Sequence, residues 1–315
     1  MSHASRSVEP LENRIAPAGV SSINLTTLNG TDGFRIVGTG ADHLAGSSVS
    51  AAGDVNGDGF DDFILSEYSP PIGSRSGQAF VLFGKSSGFP ASIDLDTLDG
   101  TNGFKISGAP VTTFQLGAGV APGGDFDNDG FDDVLVSGGG VAYLIFGQAA
   151  FPADLPISSL DGSNGFLIYT ENGGAREHVA SAGDVNGDEF DDLIFNNEDG
   201  LNDGFVVFGK ASPATAPINL STLNGTDGFR IDVPDSFRFG NLIGAGGDIN
   251  GDGFADVAMV APTDNTNGNN TGAIYVVFGK ASPFAASISA DSLNGSDGFR
   301  IYGAPGAEFS PVFQS

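Results

Sequence analysis

Four short stretches of this chain share one acidic grammar. They are Asp54-Val-Asn56-Gly-Asp58-Gly-Phe60-Asp-Asp62, Asp125-Phe-Asp127-Asn-Asp129-Gly-Phe131-Asp-Asp133, Asp184-Val-Asn186-Gly-Asp188-Glu-Phe190-Asp-Asp192 and Asp248-Ile-Asn250-Gly-Asp252-Gly-Phe254-Ala-Asp256. Oxygen-bearing side chains stand at positions 1, 3, 5 and 9. A loop that curls tightly can aim them at one point, with the carbonyl of position 7 (Phe60, Phe131, Phe190 or Phe254) as a fifth oxygen. A hard cation such as Ca²⁺ takes about six to eight oxygen ligands, so the chemistry expected is cation binding at four sites. The EF-hand shares Asp-x-Asn-x-Asp-Gly but needs a bidentate Glu at position 12. Here position 12 is Leu65, Val136, Phe195 and Met259, all apolar. The apolar runs that follow each loop, such as Phe63-Ile64-Leu65 and Val134-Leu135-Val136, suit a buried strand better than a helix.

The loops sit inside a larger repeat. A Leu-x-Gly element ending in Gly-Phe-x-Ile recurs at 28–36, 98–106, 160–168, 223–231 and 293–301. An apolar strand ending in Phe-Gly recurs at Phe83-Gly84, Phe146-Gly147, Phe208-Gly209 and Phe278-Gly279. Successive loops start 71, 59 and 64 residues apart. A period of roughly sixty with several short strands and Gly-rich turns predicts a β-propeller or a related repeat array. Each unit reads as four strands: a small-residue stretch before the loop (47–52, 242–245), the strand after it, the Phe-Gly strand and the Gly-Phe-x-Ile strand. Phe34, Phe104, Phe166, Phe229 and Phe299 then fill equivalent places between neighbouring sheets.

Asp-Val-Asn-Gly-Asp-Gly-Phe-Asp-Asp before an apolar strand, with Ala79-Phe-Val-Leu-Phe-Gly84 further on, resembles the FG-GAP repeat. That repeat builds the N-terminal β-propeller of integrin α subunits and occurs in many bacterial extracellular proteins. The resemblance runs over 23–313. It implies an all-β propeller, Ca²⁺ in the loop between strands 1 and 2, and adhesion or ligand binding as the role. The ligand set it implies is the side chains at positions 1, 3, 5 and 9 and the carbonyl at 7. Two departures stand out. Glu189 replaces the Gly of position 6, where a sharp turn favours a residue without Cβ, so the loop 184–192 is expected to be the weakest of the four. Integrin propellers have seven blades, whereas four full four-stranded units fit here, with a lone strand 4 at 33–37 and a beginning strand 1 at 309–313. The expectation is an open four-blade arc or a truncated product of a longer gene, ahead of a compact four-bladed ring with a spare strand; the exposed edges of an arc would favour self-association. The N-terminal 1–22 is expected to be a tail and 23–315 the propeller.

Thirty-nine acidic residues against twelve basic ones give a formal charge of −27. Nucleic acid and anionic membrane surfaces require basic patches, so neither is an expected partner. Clustered carboxylates destabilise a fold unless cations neutralise them, so part of this acidity belongs to the loops. The chain has no cysteine, which excludes thiolate zinc and disulfide chemistry. Cytosolic calcium is too low to fill modest sites, which favours a secreted or cell-surface location in a bacterium. No apolar run reaches the ~20 residues of a membrane span, and 1–20 lacks the apolar core of a classical signal peptide. The segment Ser7 to Ala18 is similar to a Leu-Glu-Pro-Arg-type motif found near the start of many exported bacterial proteins.

No nucleophile elbow, zinc-protease or phosphate-loop motif occurs, and no catalysis is expected. His43 and His178 read as equivalent turn positions before strand 1. The 2–3 loops vary most between units (66–77, 137–140, 196–204, 261–272), which puts a protein or glycan ligand on the face they share with the 4–1 loops. Tyr68, Arg75, Asp199 and Asp264 are the candidate contacts there. The expected function is a Ca²⁺-binding adhesion or ligand-binding module. A structural surface-layer component, or an accessory piece of a larger secreted hydrolase, are the alternatives.

Overall fold

The computed structural model describes residues 24–40, 43–67, 77–86, 88–108, 116–169, 178–196, 203–211, 217–233, 243–262, 264–268 and 271–304. The expected N-terminal motif and the strand at 309–313 lie outside them, as do Tyr68, Arg75 and Asp199. The described residues form strands joined by turns and three-residue 3-10 helices. In chain order the strands are β1 (Arg35–Val37), β2 (Ala45–Gly53), β3 (Asp62–Glu67), β4 (Gln78–Leu82), β5 (Ser92–Asp94), β6 (Gly103–Ser107) and β7 (Gly119–Gly124). There follow β8 (Asp133–Ser137), β9 (Val141–Ile145), β10 (Asp154–Pro156), β11 (Gly165–Tyr169), β12 (His178–Gly183), β13 (Asp192–Asn196) and β14 (Gly204–Val207). The last are β15 (Ile218–Asn219), β16 (Gly228–Asp232), β17 (Ile243–Gly247), β18 (Asp256–Ala261), β19 (Ala273–Val277), β20 (Ser287–Ser289) and β21 (Gly298–Tyr302).

Among the described residues two compact units are present: 24–36 with 88–93, and 37–86 with 94–304. In the first, β1 pairs with β5, and Phe34 stacks on Phe89 with ring centroids 4.6 Å apart. The second holds four antiparallel sheets, β2-β3-β4-β6, β7-β8-β9-β11, β12-β13-β14-β16 and β17-β18-β19-β21. The four strands of each repeat are those expected from sequence, and this is an all-β, propeller-type array. The inner strands β2, β7, β12 and β17 lie next to one another in that order.

Sequence reasoning missed a fifth strand. After each Phe-Gly the chain crosses back to the preceding sheet and adds a short parallel strand to its outer edge. Thus β10 joins β6, β15 joins β11 and β20 joins β16. On the segments leading to β10 and β20 a Phe anchors the crossing. Phe151 stacks on Phe104 (centroids 4.0 Å), and Phe284 stacks on Phe229 (4.6 Å). Consecutive repeats are therefore interlocked as well as stacked.

Apolar runs become strands here because each inner sheet is buried on both faces. Alternate residues of β8 serve different cores. Val134 and Val136 pack against Val81 and Ile106 of the first sheet, while Leu135 packs with Leu193 and Phe195 of the third. A third core joins Ile194, Val206 and Phe229 to Val257, Met259 and Tyr275 of the fourth. Period-2 polarity is lost under such burial, which is why the strands read as continuous hydrophobic runs. Replacing Phe151 by Ala removes a buried ring from the crossing segment and is expected to cost about 3–5 kcal/mol. Phe299 is half-buried, and its replacement by Ala is expected to cost clearly less; urea unfolding of both variants checks the order.

Candidate metal centre

Each acidic loop is built by its own carboxylates. The position-1 side chain caps the turn by accepting two backbone N–H groups from positions 5 and 6. For Asp54 these are Asp58 at 3.0 Å and Gly59 at 2.8 Å. Asp125 holds Asp129 and Gly130 at 2.9 and 3.0 Å. Asp184 holds Asp188 and Glu189 at 3.1 and 3.0 Å, and Asp248 holds Asp252 and Gly253 at 3.0 and 2.9 Å. The position-5 carboxylate then accepts the N–H of the position-7 Phe, at 3.0 Å in the first loop and the same in the second. These bonds turn the carboxylates inward, as local side-chain-to-backbone bonding in Asx-type turns does.

The chain reverses twice, at positions 4 and 6, and both need a left-handed backbone. Position 6 has φ of 87° at Gly59, 91° at Gly130 and 94° at Gly253, and Glu189 takes the same conformation at 73°. Position 4 is Gly57, Gly187 and Gly251, with Asn128 at φ 54° in the second loop. Asn is the non-glycine residue that tolerates this region best.

Position 3 separates the second loop from the others. In the first, third and fourth loops the amide of Asn56, Asn186 or Asn250 donates to the position-5 carboxylate of Asp58, Asp188 or Asp252, at 3.2, 2.8 and 2.8 Å. Asp127 has no such donor. Oxygens of Asp125, Asp127 and Asp129 lie within 4.8 Å of one another, a spacing that could hold a cation. Among the described residues this is the cluster of three acidic side chains close enough to hold a metal, the other loops having Asn at position 3. Asp133 is not drawn into it.

Position 9, a ligand by the sequence reading, also has work to do in the fold itself. Asp62, Asp133, Asp192 and Asp256 are buried, and each carboxylate is a clamp. One oxygen accepts the N–H of position 2: Val55 at 3.0 Å, Phe126 at 3.0 Å, Val185 at 2.9 Å and Ile249 at 2.8 Å. The other accepts the N–H of the Phe-Gly glycine: Gly84, Gly147 and Gly209 at 2.8 Å and Gly279 at 2.9 Å. Each oxygen keeps a second lone pair on which a cation could draw. Burial pushes the Asp62 carboxyl up to about 6 and that of Asp192 to about 8, against the lowering effect of those N–H bonds. Asp133 is raised too, again chiefly by burial.

Position 8 was assigned nothing from sequence, yet it joins one loop to the one before. Asp132 accepts the Asp54 N–H at 2.7 Å, and Asp191 accepts the Asp125 N–H at 3.1 Å. The position-8 N–H returns a bond to the position-1 carbonyl, from Asp132 to Asp54 (3.1 Å), Asp191 to Asp125 (3.2 Å) and Ala255 to Asp184 (2.9 Å). The residue after Phe-Gly adds one to the position-2 carbonyl, from Gln148 to Val55 (3.0 Å), Lys210 to Phe126 (2.9 Å) and Lys280 to Val185 (2.9 Å). A Cβ on Gly147 would strike the Asp132 carbonyl and the Phe131 side chain, which explains the glycine of Phe-Gly at this joint. The repeat's spacing was the available signal.

Other sequence candidates are placed differently. Asp264, read as a surface contact, is fully buried. It caps its loop through the Thr266 N–H at 2.6 Å and takes a short hydrogen bond from the Tyr275 hydroxyl. His43 and His178 are not equivalent. His178 opens β12, whereas His43 precedes β2, where its ring meets Thr39 at 2.9 Å and Glu67 at 3.4 Å. A longer inner strand in the first repeat shifts the register.

Comparison with known proteins agrees with this architecture. Residues 45–82 and 239–277 match the FG-GAP repeat. The chain is 33% identical over 92 residues to integrin alpha-4 of Xenopus laevis, covering 29% of the chain and 8% of that protein. It is 29% identical over 174 residues to integrin alpha-V of Gallus gallus, covering 53% of the chain and 15% of that protein. This is a chain with FG-GAP repeats, similar to integrin alpha subunits, and it spans less than a fifth of their length.

Two outcomes follow from this geometry. Replacing Glu189 by Gly relieves a left-handed residue and is expected to stabilise the protein by about 1 kcal/mol, read as a higher urea midpoint. With divalent cations removed, the native state holds protons on Asp62 and Asp192 that the unfolded chain has already released above about pH 4. Stability is therefore expected to fall as pH rises from about 4 towards 8. Replacing Asp192 by Asn should flatten the upper part of that profile.

Proposed function

We propose that the chain is a calcium-binding module of an extracellular or cell-surface protein, with an adhesion or ligand-binding role and no catalytic one. The observation that carries this reading is the second loop, where Asp125, Asp127 and Asp129 converge to within 4.8 Å in a turn already fixed by its own backbone bonds. The donor set is all oxygen, which fits Ca²⁺ and excludes soft-metal selectivity. The holding residues would be Asp54, Asn56, Asp58, Asp62 and the Phe60 carbonyl in the first loop, and Asp125, Asp127, Asp129, Asp133 and the Phe131 carbonyl in the second. Asp184, Asn186, Asp188, Asp192 and the Phe190 carbonyl would serve the third, and Asp248, Asn250, Asp252, Asp256 and the Phe254 carbonyl the fourth. A bound divalent cation supplies positive charge where carboxylates otherwise repel one another.

The protein's own contribution is positioning. Position 1 holds the turn closed, position 5 orients the Phe peptide, and position 9 ties the loop to the Phe-Gly strand. Because position 8 and the residue after Phe-Gly bond to the neighbouring loop, ordering one loop also orders the next. Similarity to proteins named integrin alpha supports the adhesion class. The ligand face proposed is that of the 2–3 and 4–1 loops. Asp264 is withdrawn from it as a contact, being buried.

Calorimetric titration with Ca²⁺ and with Mg²⁺, alongside thermal unfolding in chelator, tests the reading. Three or four Ca²⁺-selective sites are expected, with a cooperative transition lowered by chelator. Asp127→Asn is expected to weaken the tightest site by roughly tenfold, since it removes one ligand charge and restores the amide cross-link seen in the other loops. Identical melting with and without calcium would defeat the proposal.

A further inference from the structure

Consecutive acidic loops share peptide groups. The Phe131 carbonyl, a ligand in the proposed second site, and the Asp132 N–H belong to one planar peptide unit. That N–H donates to the carbonyl of Asp54, the position-1 residue of the first loop, at 3.1 Å. The same arrangement joins Phe190 and Asp191 to Asp125 (3.2 Å), and Phe254 and Ala255 to Asp184 (2.9 Å). Each unit thus offers its carbonyl to its own loop and its N–H to the loop before. A planar amide cannot turn its carbonyl without swinging its N–H. Fixing the oxygen in one loop therefore fixes a bond to the residue that closes the other.

At two of the three joints a side chain completes the grip. Asp132 accepts the Asp54 N–H at 2.7 Å as well as bonding its carbonyl, so one residue holds both backbone groups of Asp54. Asp191 holds Asp125 in the same way, its carboxylate at 3.1 Å from the N–H. The glycine before position 1 makes room for this, since a Cβ on Gly53 or Gly124 would strike the carboxylate of Asp132 or Asp191. Asp54 and Asp125 in turn hold their own loops closed through positions 5 and 6. The Asp191 carboxylate also feels the charges of Asp125 and Asp184, so an anion there attracts a cation in either loop. At the third joint Ala255 has no carboxylate to offer.

We propose that the cation sites of consecutive loops are coupled, filling one raising the affinity of its neighbour, with Asp132 and Asp191 as the positioning residues that set the strength of the coupling. Coupling of this kind rests on the calcium-binding reading of the loops and adds a regulation to it. The second loop, tied through side chains on both sides, governs the first and the third. The joint between the third and fourth loops is the weakest of the three, because only backbone bonds cross it between the loops. By linkage each effect is reciprocal: the first loop acts on the second as strongly as the second on the first.

Calcium titration of the whole chain, followed loop by loop through the NMR signals of the position-6 amides, tests this. The N–H groups of Gly59, Gly130, Glu189 and Gly253 are each held by a position-1 carboxylate, so each reports its own site. Asp127→Asn, which weakens the second site, is expected to weaken the first and third by about fivefold and to leave the fourth nearly unchanged. Asp132→Ala copies the residue that the fourth loop carries at this place, so the fold should tolerate it. In that background the response of the first loop to Asp127→Asn is expected to shrink, while that of the third, joined through Asp191, stays as before. A general loss of structure would reach the fourth loop as well. Loops that fill with calcium but ignore Asp127→Asn overturn the coupling alone. Equal responses in the first, third and fourth loops do the same, as does a first loop whose response survives Asp132→Ala undiminished. Loops that take up no calcium overturn the coupling together with the calcium reading.

Discussion

The buried carboxylate at position 9 is the constraint on which each repeat depends. Asp62 ties the loop at Val55 to the Phe-Gly turn at Gly84, and the same pair of bonds recurs at Asp133, Asp192 and Asp256. One side chain thus fixes the distance between strand 2's start, the loop before it and the end of strand 3. Removing either N–H partner would leave a buried acceptor unsatisfied, so the three elements stand or fall together. Its elevated proton affinity in Asp62 and Asp192 follows from this burial.

Repeats built this way cannot bury their faces alone. Val134 and Leu135, neighbours on β8, belong to two different cores, so each middle sheet needs a partner on both sides. Three further devices lock the sheets in sequence: the crossing strands β10, β15 and β20, the stacked Phe pairs, and the loop-to-loop bonds through position 8. The third joint lacks the side-chain part of that bond, since Ala255 stands where Asp132 and Asp191 stand elsewhere. It keeps the two backbone bonds, from Ala255 and from Lys280. Stability in such an array is a sum over neighbours.

The four loops share a scaffold and differ in what they offer a cation. The second has an Asp at position 3 and no amide cross-link, and its three carboxylates converge. The first and fourth bind their own position-5 carboxylate through Asn56 and Asn250. The third does so through Asn186 and also carries Glu189 in a left-handed conformation, whose strain the surrounding bonds of Asp184 overcome.

Much was legible in the sequence because local chemistry dictates it. The spacing of Asp, Asn and Gly in each nine-residue loop fixes a turn of defined handedness, and apolar runs after it can only be strands. The four-strand unit and the absence of a position-12 carboxylate followed from residue order alone. What sequence left open depends on contacts between residues far apart in the chain. Asp132 and Asp54 are 78 positions apart, so nothing local marks Asp132 as a tie to another loop. The fifth strand pairs only with the preceding sheet, and a segment such as Asp154–Pro156 has no strand signature of its own. Asp264 looked like a surface acid because its partner Tyr275 lies across a hairpin. The turn chemistry belongs to the sequence. Which carboxylates are clamps, which are ties and which converge was decided by the packing of one repeat on the next, because only that packing chooses the backbone N–H each acid can reach.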